Sequence, residues 1–91
     1  MRVLWTEPAS DDLACIVEYI RRDNPSAAAR VARTIYEGVA QLKQMPERGR
    51  PGFAENTREL VFSPWPYIAV YEVVADSVMI LRIRHTAQKW P

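Results

Sequence analysis

The chain has 91 residues, 48% of them hydrophobic, and a formal net charge of +1. This length predicts one domain over residues 1–91, and the balanced charge argues against a strongly electropositive nucleic-acid-binding protein. A single cysteine excludes an internal disulfide and gives no zinc-type spacing, and no apolar run approaches the ~18 residues of a transmembrane helix. The composition therefore favours a soluble, cytoplasmic protein that needs no membrane, metal or organic cofactor.

The first half of the chain predicts a short strand followed by a helical hairpin. Arg2–Trp5 is the strand, and Thr6 is a candidate N-cap of the first helix. Asn24-Pro25 ends that helix and starts the second, with Asn24 as its N-cap. The second helix is expected to stop before Pro46, which gives helices of about 16 and 21 residues. One apolar stripe runs along the first helix, formed by Ala9, Leu13, Ile16, Val17 and Ile20.

The second half predicts three consecutive strands, at residues 57–62, 67–74 and 77–84. The connections between them are three or four residues long, which suits antiparallel neighbours and excludes a parallel crossover. Residues 46–56 hold prolines and glycines and are expected to form a loop. The predicted fold class is α+β with the order β-α-α-β-β-β, in which the helical hairpin packs on one face of a mostly antiparallel sheet.

Alternation along the strands separates the residues of the sheet into two faces. The face expected to meet the helices carries Ile68, Val70, Leu81 and Ile83. The other face is expected to be open and to carry Tyr67, Tyr71, Arg82 and Arg84. Two tyrosines and two arginines on an open sheet would form a surface for RNA or for another protein.

An ordered set of residues over nearly the whole chain resembles the RelE/ParE superfamily of toxins from type II toxin–antitoxin modules. The set consists of Trp5, Ala9, Asp12-Leu13, Ile16, Tyr19-Ile20, Asn24-Pro25, Ala27-Ala28, Leu42, Pro46, Gly49-Arg50, Gly52, Thr57-Arg58-Glu59-Leu60, Pro66-Tyr67, Val70-Tyr71, Ile80-Leu81-Arg82-Ile83 and His85. The resemblance implies a growth-inhibiting toxin that a cognate antitoxin neutralises, in a heterodimer or heterotetramer.

The resemblance leaves two targets open, DNA gyrase for ParE-like members and the ribosome with its mRNA for RelE-like members. A ribonuclease needs an acid or base and cations that neutralise the phosphate. Its phosphate would be held by Arg82 and Arg84, and its acid or base would be His85, the only histidine of the chain. These three would be the catalytic residues. Further candidates for contact with RNA or another target are Arg50, Arg58, Tyr67, Tyr71, Gln88 and Lys89, with Glu59 as a second candidate base.

Each of these residues also has a structural interpretation. In this interpretation Arg82 and Arg84 are solvated or pair with Glu59 and Glu72, and Arg58 forms a cross-strand ion pair with Glu59. The two tyrosines pack within the sheet, and His85 caps the end of its strand. The near-neutral charge and the long hairpin favour the ParE-like function slightly over ribosome-dependent mRNA cleavage. A third alternative is an inactive binding module that sequesters an antitoxin.

Overall fold

The computed structural model describes residues 1–87 and contains two helices packed against a five-stranded sheet. The elements are β1 (Arg2–Trp5), α1 (Glu7–Arg21), α2 (Pro25–Ala40), β2 (Arg50–Pro51), β3 (Arg58–Val61), β4 (Tyr67–Val74) and β5 (Ser77–His85). The strand order is β1-β5-β4-β3-β2, with β1 parallel to β5 and every other pairing antiparallel. The predicted α+β fold and its β-meander are confirmed.

Both helices begin where the sequence predicts. The Thr6 hydroxyl accepts a hydrogen bond from the Ala9 N–H at 3.3 Å, and the Asn24 side chain accepts one from the Ala27 N–H at 3.0 Å. Each bond satisfies one of the N–H groups that a helix N-terminus leaves without an intrahelical partner. No helix within residues 1–87 has the length and apolar character needed to cross a membrane.

The second helix and the loop after it differ from the prediction. α2 has 16 residues rather than about 21, because the chain tightens after Ala40 into the 3₁₀ turn Gln41–Lys43. This turn holds Leu42 fully buried in the core. The segment 46–56, expected to be irregular, contains β2, whose two residues pair with Arg58 and Glu59 of β3. The hairpin is therefore shorter than the length that favoured a ParE-like toxin.

The predicted assignment of residues to the two sheet faces is wrong for β4 and in part for β5, where Leu81, expected to meet the helices, does not belong to the core. Tyr67, Ala69 and Tyr71 belong to the hydrophobic core, so the tyrosine side of this strand packs inward. Val70 of β4 pairs with Arg82 of β5, but the next residue, Tyr71, pairs with Ile80. Leu81 is therefore an extra residue in β5, without a partner in the register. A strict period of two cannot describe a strand with such a bulge. Ile80 and Ile83 consequently both enter the core, although they are three residues apart.

The hairpin turn between β4 and β5 contains a residue in an unfavourable conformation. Ala75 has a φ of 55°, in the left-handed region that glycine adopts readily and other residues adopt at a cost. We expect Ala75→Gly to raise the free energy of unfolding by about 0.5–1 kcal/mol, measured by urea denaturation. The matched control is Ala40→Gly, because Ala40 has an ordinary helical φ of −60°. That change should lower stability by up to about 1 kcal/mol, and a loss at both positions would contradict the account of the turn.

Candidate functional site

A cleft of about 610 Å³ lies between α1 and the second half of β5. β1 pairs only with the first half of β5, from Ser77 to Ile80. Beyond that point α1 approaches β5, and the Thr6 hydroxyl donates to the Ile80 carbonyl at 2.8 Å. The cleft is lined by Asp12, Cys15, Ile16, Tyr19, Tyr67, Arg82, Ile83, Arg84 and His85. All three predicted catalytic residues and Tyr67 therefore lie in one cleft.

Asp12 is the central acceptor in this cleft. Its carboxylate receives two hydrogen bonds from the Arg82 guanidinium, at 2.7 Å from Nε and 2.9 Å from Nη2. The same carboxylate accepts the Ile83 backbone N–H at 3.0 Å. The side chains are partly buried, with 18% of Asp12 and 35% of Arg82 exposed. This bidentate pair joins α1 to β5 across 70 residues of sequence.

The charge state of the pair follows from these contacts. Burial acts to raise the pKa of Asp12, but hydrogen bonds from Arg82 and the Ile83 N–H, with the charges of Arg82 and Arg84, hold that pKa below its ordinary value. The hydrogen bond to Asp12 raises the pKa of Arg82. Near neutral pH the carboxylate and the guanidinium are both charged, and the pair is an ion pair.

The pairing of Asp12 with Arg82 was not predicted from the sequence, which suggested Glu59 and Glu72 as arginine partners. One signal was present in the helical spacing. Asp12 follows Ala9 by three residues and precedes Ile16 by four, so it shares a helix face with the apolar stripe. An acidic residue on a core-facing side of a helix usually has a partner. The identity of that partner depends on the bulge in β5, which the sequence pattern did not indicate.

His85, Tyr67 and Arg84 form the end of the cleft where β5 finishes. The His85 ring lies edge-on to the Tyr67 ring with 5.5 Å between centroids, and His85 Nδ1 accepts the Ala87 N–H at 3.0 Å. Tyr67 is buried, with 8% exposure, and burial together with the neighbouring Tyr19 raises the pKa of its hydroxyl. Tyr67 is thus an uncharged residue in the lining of the cleft, and His85 is exposed at the edge of the cleft.

Tyr71 lies outside the cleft and is fully buried, with 0% exposure. Its hydroxyl donates to the Pro46 carbonyl at 2.7 Å and accepts from the Gly49 N–H at 2.8 Å. Burial raises the pKa of the hydroxyl, although the hydrogen bond from the Gly49 N–H and the charge of Arg58 oppose the shift. In this position the Tyr71 ring holds the loop after α2 against the sheet and is not accessible to a ligand.

The two remaining arginine candidates also bind the loop rather than the cleft. Arg58 donates to the Gly49 carbonyl at 2.8 Å and to the Glu47 carbonyl at 3.2 Å. Arg50 forms an ion pair with Glu59, its register partner on β3, at 3.1 Å. The expected pairing of Glu59 with Arg58 is replaced by this contact. Gln88 and Lys89, predicted to touch RNA or another target, lie outside the described residues.

The residues that line the cleft combine positive charge with apolar and aromatic side chains. Two arginines and one aspartate line it, so these three residues contribute a net charge of +1 (2 − 1). Such a cleft suits an anionic group on a partly apolar ligand. Within residues 1–87, no three His, Cys, Asp or Glu side chains form a group that could hold a metal ion.

The sequence matches a family of toxins and individual toxins over nearly its whole length. Residues 3–90 match the family described as ParE toxin of the type II toxin–antitoxin system, parDE. Toxin RelE2 of Caulobacter vibrioides is 42% identical over 87 residues, which cover 96% of this chain and 97% of that protein. Y4kP of Sinorhizobium fredii, whose name also describes a toxin, is 44% identical over 90 residues, covering 99% of this chain and 93% of its own.

Solved structures give the same result. A chain of the chromosomal ParDE toxin–antitoxin system of P. aeruginosa superposes with a TM-score of 0.86 at 31% identity, over 93% of this chain and 95% of that one. A mutant toxin from Helicobacter pylori, at 16% identity and a TM-score of 0.62 over 93% of each chain, shares the fold alone. With its sequence, fold and relatives in agreement, the chain belongs to the ParE toxin family of type II toxin–antitoxin systems, within the RelE/ParE superfamily.

Proposed function

We propose that this toxin acts in the cytoplasm and arrests growth by binding DNA gyrase, without cleaving RNA. The match to a family described as ParE supports this proposal, as does the similarity to a ParDE structure. The name of the Caulobacter relative, RelE2, points towards RelE instead. A choice between the targets must therefore rest on the chemistry of the cleft.

The observation that carries the proposal is the Asp12–Arg82 ion pair. A ribonuclease needs its arginines to bind the phosphate as negative charge develops on it. The Arg82 Nε and Nη2 atoms already donate to Asp12, at 2.7 and 2.9 Å. A phosphate that took these donors would break two charge-assisted hydrogen bonds and would lie beside the displaced carboxylate. Arg82 is therefore better placed to hold α1 against β5 than to bind RNA.

The second candidate function is ribosome-dependent mRNA cleavage. The observation that favours it is the placement of Arg84, His85 and Tyr67 in one cleft. An arginine would neutralise the phosphate, the histidine would exchange a proton with a ribose or leaving-group oxygen, and the exposed Tyr19 at the rim could stack on a base. In this mechanism Asp12 would orient Arg82 instead of competing with a phosphate for it.

Two assays on the purified toxin separate these functions. We expect the toxin to inhibit the supercoiling of relaxed plasmid by DNA gyrase, and the addition of antitoxin to restore it. We expect no cleavage of mRNA on translating ribosomes, and His85→Ala should retain inhibition. Cleavage that disappears in His85→Ala, with gyrase unaffected, would contradict the proposal. A folded toxin inactive in both assays would support the antitoxin-sequestering module instead.

A further inference from the structure

The Arg82 guanidinium has the shape that binds a phosphate, and it is accessible from the cleft. Its Nε and Nη2 atoms form one edge of a planar group, and such an edge binds two oxygens of a carboxylate or a phosphate in parallel. Arg82 lies opposite Val70, on the half of β5 that does not pair with β1, and 35% of its side chain is exposed. A ligand in the cleft can therefore reach this arginine.

The Asp12 carboxylate already occupies that edge and is held there. Besides its two bonds to Arg82, it accepts the Ile83 backbone N–H at 3.0 Å. The start of α1 is also fixed on β5, because the Thr6 hydroxyl donates to the Ile80 carbonyl at 2.8 Å. The carboxylate therefore cannot move away from Arg82 without giving up the Ile83 N–H, which is costly for a partly buried group.

The other residues of the cleft do not select against nucleic acid. Among the described residues that line it, Asp12 is the only acidic one. Tyr19, also in the lining, is 72% exposed and has an aromatic ring of the kind on which RNA bases stack. Removal of the Asp12 charge would raise the net charge of the cleft by one and would open the paired edge of Arg82 to a phosphate.

We propose that Asp12 is a specificity-determining residue, whose carboxylate occupies Arg82 and thereby excludes RNA from the cleft. The inference rests on the proposed function, because it names the residue that keeps a gyrase-binding toxin from binding RNA at the same site. A phosphodiester must displace the carboxylate and then lie beside it, which is a repulsive element directed against one class of ligand. Uncharged side chains of a protein partner meet no such barrier, because they need no contact with Arg82.

The two candidate functions give Asp12 opposite roles, so its replacement discriminates between them. If Asp12 occupies Arg82, the replacement releases two donors and RNA binding increases. If Asp12 orients Arg82 towards a phosphate, as in the ribonuclease mechanism, the same replacement decreases RNA binding. Asp12→Asn is the suitable variant, because the side-chain carbonyl of asparagine can still accept the Ile83 N–H.

The first test measures the binding of a short, fluorescein-labelled single-stranded RNA by fluorescence anisotropy. The matched control is Asp11→Asn, which removes the same charge from an exposed position of the same helix. We expect Asp12→Asn to bind the RNA at least fivefold more tightly than Asp11→Asn, as a new charge-assisted contact requires. The slope of log Kd against log salt concentration should also be steeper by about 0.7 in Asp12→Asn, the value for one added phosphate contact on a single strand.

A second variant shows whether the gain comes from Arg82. Asp12→Asn combined with Arg82→Gln should bind the RNA no more tightly than Asp11→Asn, because the released donors are absent. Circular dichroism and the unfolding midpoint verify that each variant is folded under the conditions of the assay. Unchanged or weaker binding in folded Asp12→Asn, or a gain that persists without Arg82, would overturn the proposal.

The wild-type protein provides a measurement that depends on no variant. The NMR signal of the Arg82 Nε–H group should keep its position when the RNA is added, because the bond to Asp12 is retained. A signal that moves with RNA concentration to a saturating new position would show that RNA reaches Arg82 and would overturn the proposal. Gyrase inhibition is measured separately. A wild type that does not inhibit gyrase, together with a gain of RNA binding in Asp12→Asn, would reject the proposed target and support the role of Asp12.

Discussion

Replacing Tyr71 with alanine is expected to lower the free energy of unfolding by about 3–5 kcal/mol, and replacing it with phenylalanine by about 1–3 kcal/mol. Alanine removes a fully buried aromatic ring and leaves a cavity in the core. Phenylalanine retains the ring but leaves the buried Gly49 N–H without its acceptor and the Pro46 carbonyl without its donor. The loss in each case comes from the fold and not from a ligand site.

Chemical denaturation of the free toxin measures both values. Tyr36→Phe is the control, because Tyr36 is 57% exposed and should lose no more than about 0.5 kcal/mol. A Tyr71→Phe protein with wild-type stability and a clear loss of target binding would contradict this assignment. It would return Tyr71 to the set of target-binding residues.

Replacing Asp12 with alanine is expected to cost about 2–4 kcal/mol at neutral pH. The change removes both hydrogen bonds to Arg82 and leaves the Ile83 N–H without an acceptor. The adjacent Asp11 is exposed and lies on the same helix, so Asp11→Ala is the matched control. It should cost no more than about 1 kcal/mol, the range of a helix-dipole interaction.

The cost of Asp12→Ala should also depend on pH. The folded state lowers the pKa of Asp12 below its ordinary value of 3.8, so the folded protein binds a proton at this carboxylate less readily than the unfolded chain does. The stabilisation is then complete above the ordinary pKa and is lost as the pH falls through the lowered one. The stability difference between wild type and Asp12→Ala should be constant from about pH 5 to 8 and shrink below about pH 4. A difference that grows on acidification would show that the carboxylate is not held as an ion.

Local sequence signals were sufficient to predict the two helices and four of the five strands, but not the two-residue strand β2. The Thr6 and Asn24 side chains cap their helices, and short connections between apolar runs produce the meander. These features depend on residues close together in the chain, which the sequence displays directly. The position at which α2 ends depends on residues distant in the sequence, because it follows from the burial of Leu42 against the rest of the core.

The candidate site was predicted only in part, for a physical reason. Arg82, Arg84 and His85 were identified by their chemistry, and their position at the end of a strand brought them together. The residue that sets the state of Arg82 is Asp12, which is 70 positions away in the sequence. The contact between Asp12 and Arg82 depends on the bulge in β5 and on α1 lying along the half of β5 that does not pair with β1. Neither feature changes the apolar pattern enough to be recognised from the sequence.

The most direct test of the gyrase proposal is to express the toxin in cells without its antitoxin and map the 5′ ends of mRNA within minutes. We expect mRNA to remain intact while growth stops, cells filament and a DNA-damage response begins. The His85→Ala variant, expressed in parallel, should produce the same arrest. New 5′ ends inside translated codons, lost in a variant that combines His85→Ala with Arg82→Ala, would contradict the account and identify the cleft as a ribonuclease active site.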